Sequence, residues 1–284
     1  MPDPNARCSC GSGKKSKNCC GTTTAPLNRT PPADIRRRLR NEVGFGCPVE
    51  GCGNPYLEYH HFDPRWSQTP HHDPNGMIAL CSRHHPHADA GAWTKDQLRE
   101  MKRHRSSDVG EKLQWMRTDV LTVVGGNFFY ETPVAVQYRQ QPVVWYRRDD
   151  QRRLLLNIRM LSLSSEPRLT VDDNDWVVRG TPLNLECPPS GKKISARYLN
   201  GDYISIEFTE IESSKDLFRR LPKLGPPPEN IDDHPFTFPL AICEITMSVA
   251  GTSLRFGPKG VAFPGGGGMS GVMMRGRPVG LQLE

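Results

Sequence analysis

The spacing of apolar and polar residues divides the chain into two textures. From about residue 118 the apolar residues come in short β-type runs: Thr122-Val123-Val124, Val134-Ala135-Val136, Val143-Val144-Trp145-Tyr146 and Leu154-Leu155-Leu156. Turn-forming groups such as Gly125-Gly126-Asn127 and Arg147-Arg148-Asp149-Asp150 separate them. Ile204, Ile206 and Phe208 alternate with Ser205, Glu207 and Thr209, the period of a half-buried strand. Asn200-Gly201-Asp202 just before them is a turn signal. These runs predict an all-β domain over residues 118–221, a sandwich or β-roll, with a helix near Ser214–Leu221. Residues 222–284 are rich in Pro and Gly, and the stretch from Gly265-Gly266-Gly267-Gly268 onward predicts a flexible end.

Before residue 118 the apolar runs are shorter and helical signals appear. Asp34 can cap a short basic helix, Ile35-Arg36-Arg37-Arg38-Leu39-Arg40. Leu57-Glu58-Tyr59-His60 reads as a strand that ends at a histidine pair and is broken by Asp63-Pro64. Met77-Ile78-Ala79-Leu80 is a short apolar run leading into Cys81. Thr94 and Gln97 form a capping-box pattern. The helix they open has Leu98 and Met101 on its apolar side and is otherwise basic, through Arg99, Lys102, Arg103, His104 and Arg105. Residues 22–33, TTTAPLNRTPPA, have no periodicity and read as a linker. The organisation predicted is α+β: a cysteine unit over 1–21, the linker, a small domain with flanking helices over 34–117, the β-rich domain over 118–221, and the segment 222–284.

Charge adds a direction to this division. The net charge is +6, and residues 1–117 carry all of it, with 18 Lys and Arg against 12 Asp and Glu. Residues 118–284 hold 19 of each. A basic half favours an anionic partner, nucleic acid foremost. The opening residues, MPDPNARCSC, have no apolar core of the signal-peptide kind. No apolar run approaches the length that crosses a membrane. A soluble, cytoplasmic protein is expected, in which clustered cysteines bind metal rather than form disulfides.

Seven of the nine histidines lie between His60 and His87, framed by Cys47, Cys52 and Cys81. Cys47-x4-Cys52 and Cys81-x2-His84 are two ligand pairs separated by 28 residues, a Cys₃His set suited to a structural zinc. It would staple a domain too small to build a large core. His85 and Asp89 are spaced i, i+4 and would share one face of a helix. A second cysteine group, Cys8-Ser9-Cys10-Gly11-Ser12-Gly13-Lys14-Lys15-Ser16-Lys17-Asn18-Cys19-Cys20-Gly21, holds four thiols in two tight pairs. Such pairs can surround one tetrahedral zinc. Trp66, Trp93, Trp145, Trp176 and Tyr203 read as packing residues, and Cys187 and Cys243 as ordinary buried thiols.

Two resemblances follow from these residues. The run CxCGSGKKxKxCCG resembles the SEC-C motif, a short zinc unit. The resemblance implies zinc on Cys8, Cys10, Cys19 and Cys20, and an accessory contact with a protein partner rather than catalysis. The stretch from Cys47 to Gly91 resembles the HNH endonucleases, the ββα-metal nucleases. That resemblance implies His60, His85 and Asp89 as ligands of a catalytic metal and His61 as general base. It also implies that Asn75 holds the loop and orients His61. Many members place His where Asp89 stands, and His84 replaces a more frequent Cys. The cofactors implied are two structural Zn²⁺ and one catalytic divalent ion, Mg²⁺ or Mn²⁺, with Zn²⁺ or Ni²⁺ as further candidates. Arg65 and Arg83, with the two basic helices, would contact phosphates. The activity implied is hydrolysis of phosphodiester bonds, with double-stranded DNA as the expected substrate. The competing expectation is a non-catalytic zinc module on the same scaffold that binds nucleic acid or protein. His71, His72 and His87 are expected to lie outside the ligand sets.

Overall fold

The computed structural model describes residues 27–103, 105–106, 109–115, 117–226 and 234–284, together with Lys15. Cys8, Cys10, Cys19 and Cys20 lie outside the described residues. The architecture is α+β with strand predominating. A small region comes first, built from helix α1 (Ala33–Glu42), strands β1 (Leu57–His61) and β2 (Met77–Cys81), and helices α2 (His85–Asp89) and α3 (Lys95–Arg103). A large β region follows.

In the small region β1 and β2 pair antiparallel, with Leu57 opposite Cys81 and His61 opposite Met77. All five residues of β2 are buried. Leu39 of α1 and Leu98 of α3 share its core, with Leu57, Phe62 and Ala88. This explains the unbroken apolar run Met77–Leu80: a strand covered on both faces has no polar side to show. Burying each such aliphatic side chain contributes about 1.5–3 kcal/mol. The helix starts differ from one another. Thr94 and Gln97 form the reciprocal capping pair, Thr94 N–H to Gln97 Oε1 at 2.8 Å and Gln97 N–H to Thr94 Oγ1 at 3.2 Å. Asp34, expected as the cap of α1, lies in its first turn, and Pro32 takes the cap position with no side-chain bond. An acid in the first turn still favours the helix through the dipole.

The β region comprises β3 (Val109–Lys112), β4 (Val120–Val124), β5 (Asn127–Tyr130), β6 (Val134–Tyr138), β7 (Gln141–Arg148), β8 (Leu154–Arg159), β9 (Thr170–Asp172), β10 (Asp175–Val178), β11 (Pro182–Glu186), β12 (Lys193–Tyr198), β13 (Tyr203–Ile211), helix α4 (Ser214–Arg220), β14 (Leu240–Ser248), β15 (Arg255–Gly257), β16 (Gly260–Ala262), β17 (Gly268–Met269), β18 (Met273–Arg275) and β19 (Val279–Leu283). One sheet runs β19-β6-β7-β8-β9-β10-β3. The other runs β11-β12-β13-β14-β15-β16-β17, with β4 joined to β14 and β5, and β18 joined to β5. Residues of both sheets, among them Val144, Ile158, Trp176, Ile204, Ile245 and Met247, fill one shared core. In β14 the odd positions Cys243, Ile245 and Met247 face that core, while Leu240 and Ile242 face a second one under α4. The period of two in a strand produces this division.

Two boundaries differ from expectation. Residues 222–284 are not an appendage: β14 pairs with β13 along its whole length, and β18 and β19 lie parallel to β5 and β6. Leu281 and Leu283 are buried in the shared core. At its other end the β region begins before residue 118, because β3 pairs with β10. Trp176 is fully buried as expected. Trp145 and Tyr203 are half-buried instead, each under an arginine, Arg159 and Arg197. Phe45 belongs to the large core although it follows α1, and Asn54 donates to Glu111 at 2.7 Å, so the small region is fastened to the β region. No helix among the described residues is long and apolar enough to cross a membrane.

Candidate functional site

Cys47, Cys52, Cys81 and His84 come together as one group able to hold a metal ion such as zinc. The cysteine pair sits on a turn in which Cys52 N–H donates to Val49 O and Cys47 N–H to Asn54 O. Gly51 and Gly53 take left-handed φ of 72° and 58° there, which favours glycine. Cys81 ends β2, and His84 follows one turn later. Cys52 Sγ is 3.8 Å from Cys81 Sγ, and His84 Nδ1 is 3.4 Å from Cys47 Sγ and 3.3 Å from Cys81 Sγ. With Zn–S near 2.3 Å and Zn–N near 2.0–2.1 Å, the edges of a tetrahedron are about 3.8 Å between sulfurs and about 3.5 Å between sulfur and nitrogen. The spacing fits a shared tetrahedral ion. Burial pushes the Cys47 thiol up to about 12 and raises Cys52 as well. A metal ion is what deprotonates such thiols.

His60, His85 and Asp89 form the second group, with one ligand atom from each lying within 4.8 Å of the others. The turn of α2 brings His85 and Asp89 to one side, with Asp89 Oδ2 3.3 Å from His85 Nδ1. Strand β1 carries His60 to meet them, its Nδ1 3.0 Å from Asp89 Oδ1. That Nδ1 is buried and makes no aligned hydrogen bond. The donor set, two imidazoles and a carboxylate, suits a divalent transition metal or Mn²⁺. Burial lowers the pKa of His60 against the pull of Asp89, which favours the neutral, coordinating form. The Asp89 side chain is 48% exposed, so this group opens to solvent.

His61 is buried beside the open group and belongs to neither set. It lines a cleft of about 210 Å³ together with His60, Asp89, Arg29, Arg65 and Trp66. Both of its ring nitrogens lack a hydrogen-bond partner among the described residues. Burial, and the His71 imidazole beside it, push His61 down to about 4. It is a neutral acceptor at ordinary pH. Trp66 packs against it at 4.8 Å between ring centroids and stacks on His72, which fits the packing role expected of this tryptophan.

Asn75 does not do what the resemblance implies. It is exposed, its backbone N–H donates to Asp73 Oδ1 at 3.0 Å, and its side chain has no bond to the loop or to His61 among the described residues. His71 holds the loop instead. Its Nδ1 accepts from Asp73 N–H at 3.1 Å, so its Nε2 is the donor to Pro64 O at 2.9 Å. A backbone N–H can only donate, and that settles the tautomer. The His71 ring then stands edge-on to His61 at 5.2 Å. Gly76 lets the segment after β1 lie against this loop: a Cβ there would meet Asp63 O at 1.8 Å.

Other expectations divide. Arg65 reaches the cleft, whereas Arg83 is exposed beside His84 and does not line it. The basic face of α3 is used internally. Lys95 and Arg99 hold Asp63, whose carboxyl they keep below its usual range, and Lys102 joins Pro74 O and Glu42. Two further residues stand at the site. Arg29, in what reads as a linker, lines the cleft. Glu58 places Oε2 3.7 Å from His85 Nδ1. A sequence signal for Glu58 exists, since position i−2 on a strand shares the face of His60; for Arg29 there is none. No family model, curated protein or solved structure matches the chain.

Proposed function

We propose that the chain is a metal-dependent endonuclease of the HNH, or ββα-metal, type that hydrolyses phosphodiester bonds of nucleic acid, with duplex DNA as substrate. The observation that carries this reading is His61. It is a histidine outside both ligand sets, with both ring nitrogens buried and without an aligned hydrogen bond among the described residues, beside the cleft that holds His60, Asp89, Arg29 and Arg65. His60, His85 and Asp89 would hold a divalent cation, which would supply Lewis-acid charge at a bound phosphodiester. Mg²⁺ or Mn²⁺ suits the carboxylate, and the two imidazoles admit Zn²⁺ or Ni²⁺.

The chain's own residues supply the rest. His61, neutral at pH 7, accepts the proton of the attacking water. Its low pKa in the free protein keeps it unprotonated, and the anionic phosphate entering the cleft favours the imidazolium that results. Arg29 and Arg65 offset phosphate charge. His71 fixes the loop against which His61 packs. Cys47, Cys52, Cys81 and His84 would hold a zinc that keeps β2 and the start of α2 in place.

The test is cleavage of plasmid and of RNA by the full chain with Mg²⁺, with Mn²⁺ and with EDTA, beside His61→Ala. The wild type cleaves with metal, and His61→Ala loses roughly 10²–10⁴-fold of the rate while keeping its metals and its fold. A wild type that never cleaves, or an alanine variant that cleaves as well, overturns the reading.

A further inference from the structure

A second and larger cavity, of about 890 Å³, adjoins the open cluster. One wall is α1 and the residues before it, through Arg29, Arg36, Arg37 and Arg40. The facing wall belongs to the β region: β11, the edge strand of its sheet, and Lys193 at the start of β12. Glu58 and His85 also line it. Arg29 lines both this groove and the cleft of His61. The two cavities therefore share a wall at the candidate metal ligands.

The cations of this wall differ from those of α3. Lys95, Arg99, Lys102 and Arg103 are all committed to carboxylates. Arg29, Arg36 and Arg37 make no ion pair among the described residues, and Arg36 Nε is buried without an acceptor. Arg40 donates to Tyr59 Oη at 3.0 Å and lies 4.0 Å from Glu186, which offsets one of the groove's three acids. The others are Asp34, in the first turn of α1, and Glu58 beside His85. Three guanidinium groups without an ion pair among the described residues, Arg29, Arg36 and Arg37, favour a ligand that brings several anions. A phosphodiester backbone does so at regular spacing, and arginine binds it in a forked geometry.

We propose that the groove between α1 and the edge strand β11 is the track along which a nucleic-acid backbone runs into the open cluster. The β region thus forms one bank of the substrate path. This inference rests on the nuclease reading for its direction, but not for its measurement. Labelled duplex DNA, single-stranded DNA and RNA of one sequence are titrated with the full chain by fluorescence anisotropy, without added divalent cation, at several salt concentrations. Arg36→Ala with Arg37→Ala is the test variant, and Arg255→Ala with Arg277→Ala removes equal charge elsewhere.

The expected result is binding of at least one probe by the wild type, weakened roughly tenfold in the α1 variant, with a salt slope shallower by about 2. The control double variant binds as the wild type does. Arg37→Glu, on the exposed side of α1, gives the same reading if the double variant folds poorly. Unchanged affinity and slope in the α1 variants, or no binding of any probe by the wild type, overturns the track. A wild type that cleaves while the α1 variants bind normally leaves the nuclease standing without the track. A wild type that binds through α1 and never cleaves leaves the track standing without the nuclease.

Discussion

Cys47, Cys52, Cys81 and His84 close around a point inside the small region, whereas His60, His85 and Asp89 surround a point that Asp89 leaves open to solvent. The two groups meet at one peptide bond, with His84 in the first and His85 in the second. They differ in donor chemistry. Three sulfurs and one nitrogen with tetrahedral spacing suit an ion that stays and supports folding. Two nitrogens and a half-exposed carboxylate leave room for a further ligand. Adjacent histidines part in this way because His84 ends the turn after β2, while His85 begins α2 and faces β1. A metal in the closed group would hold the frame, and that frame would set the geometry of the open one.

Removing a ligand of the closed group tests this most severely. Cys47→Ser should release the metal and unfold the small region, since structural zinc contributes on the order of 10 kcal/mol to small domains that depend on it. Zinc content and thermal unfolding by circular dichroism check this, with the β region still melting as a unit. A variant that keeps its melting curve would show that the closed group does not support the fold.

Acid probes the histidine beside the open group. Burial depresses His61 from 6.5 to about 4 in the folded protein, so between those values the unfolded chain binds a proton that the folded one refuses. Stability therefore falls as pH drops through this window, by at most about 3 kcal/mol. His61→Gln should remove that dependence. Urea unfolding of both proteins at pH 7 and pH 4.5 measures it; parallel losses in the two would rule out His61 as the source.

The smallest effect expected is at Asp89. Asp89→Ala should weaken Mn²⁺ binding at the open group roughly 10–100-fold, with zinc content and melting unchanged, and Asp89→His should restore much of it. Calorimetric titration with Mn²⁺ is the readout. Loss of zinc together with Mn²⁺ would mean that the two groups are not separate.

Most of the candidate ligand pairs were legible in the sequence because their signals are local, whereas His60 entered only through the resemblance. Cys-x4-Cys, Cys-x2-His and the i, i+4 pair His85 and Asp89 each lie within one turn or one helical repeat. The capping box at Thr94 and the strand period around Ile204 are local in the same way. The same reading went astray where a role depends on a distant partner. Asn75 stood in the expected place, yet the loop is held by His71, whose partners are Asp73 and Pro64. The basic face of α3 suggested phosphate contacts, but Asp63 and Glu42 take up its charges. The glycine-rich end gave no periodic signal. It becomes strand because β5 and β6, more than 130 residues earlier, offer it open edges.

Sequence was therefore sufficient for the donor chemistry, the division of the chain into a metal-rich part and a β-rich part, and the placement of the basic excess. Which charges remain free, which histidine holds the loop, and how α1 meets β11 across a groove were decided by the tertiary structure alone. The physical reason is range. Ligand type and spacing are properties of a few adjacent residues, whereas the neutralisation of a guanidinium or the burial of an imidazole depends on what the rest of the chain places against it.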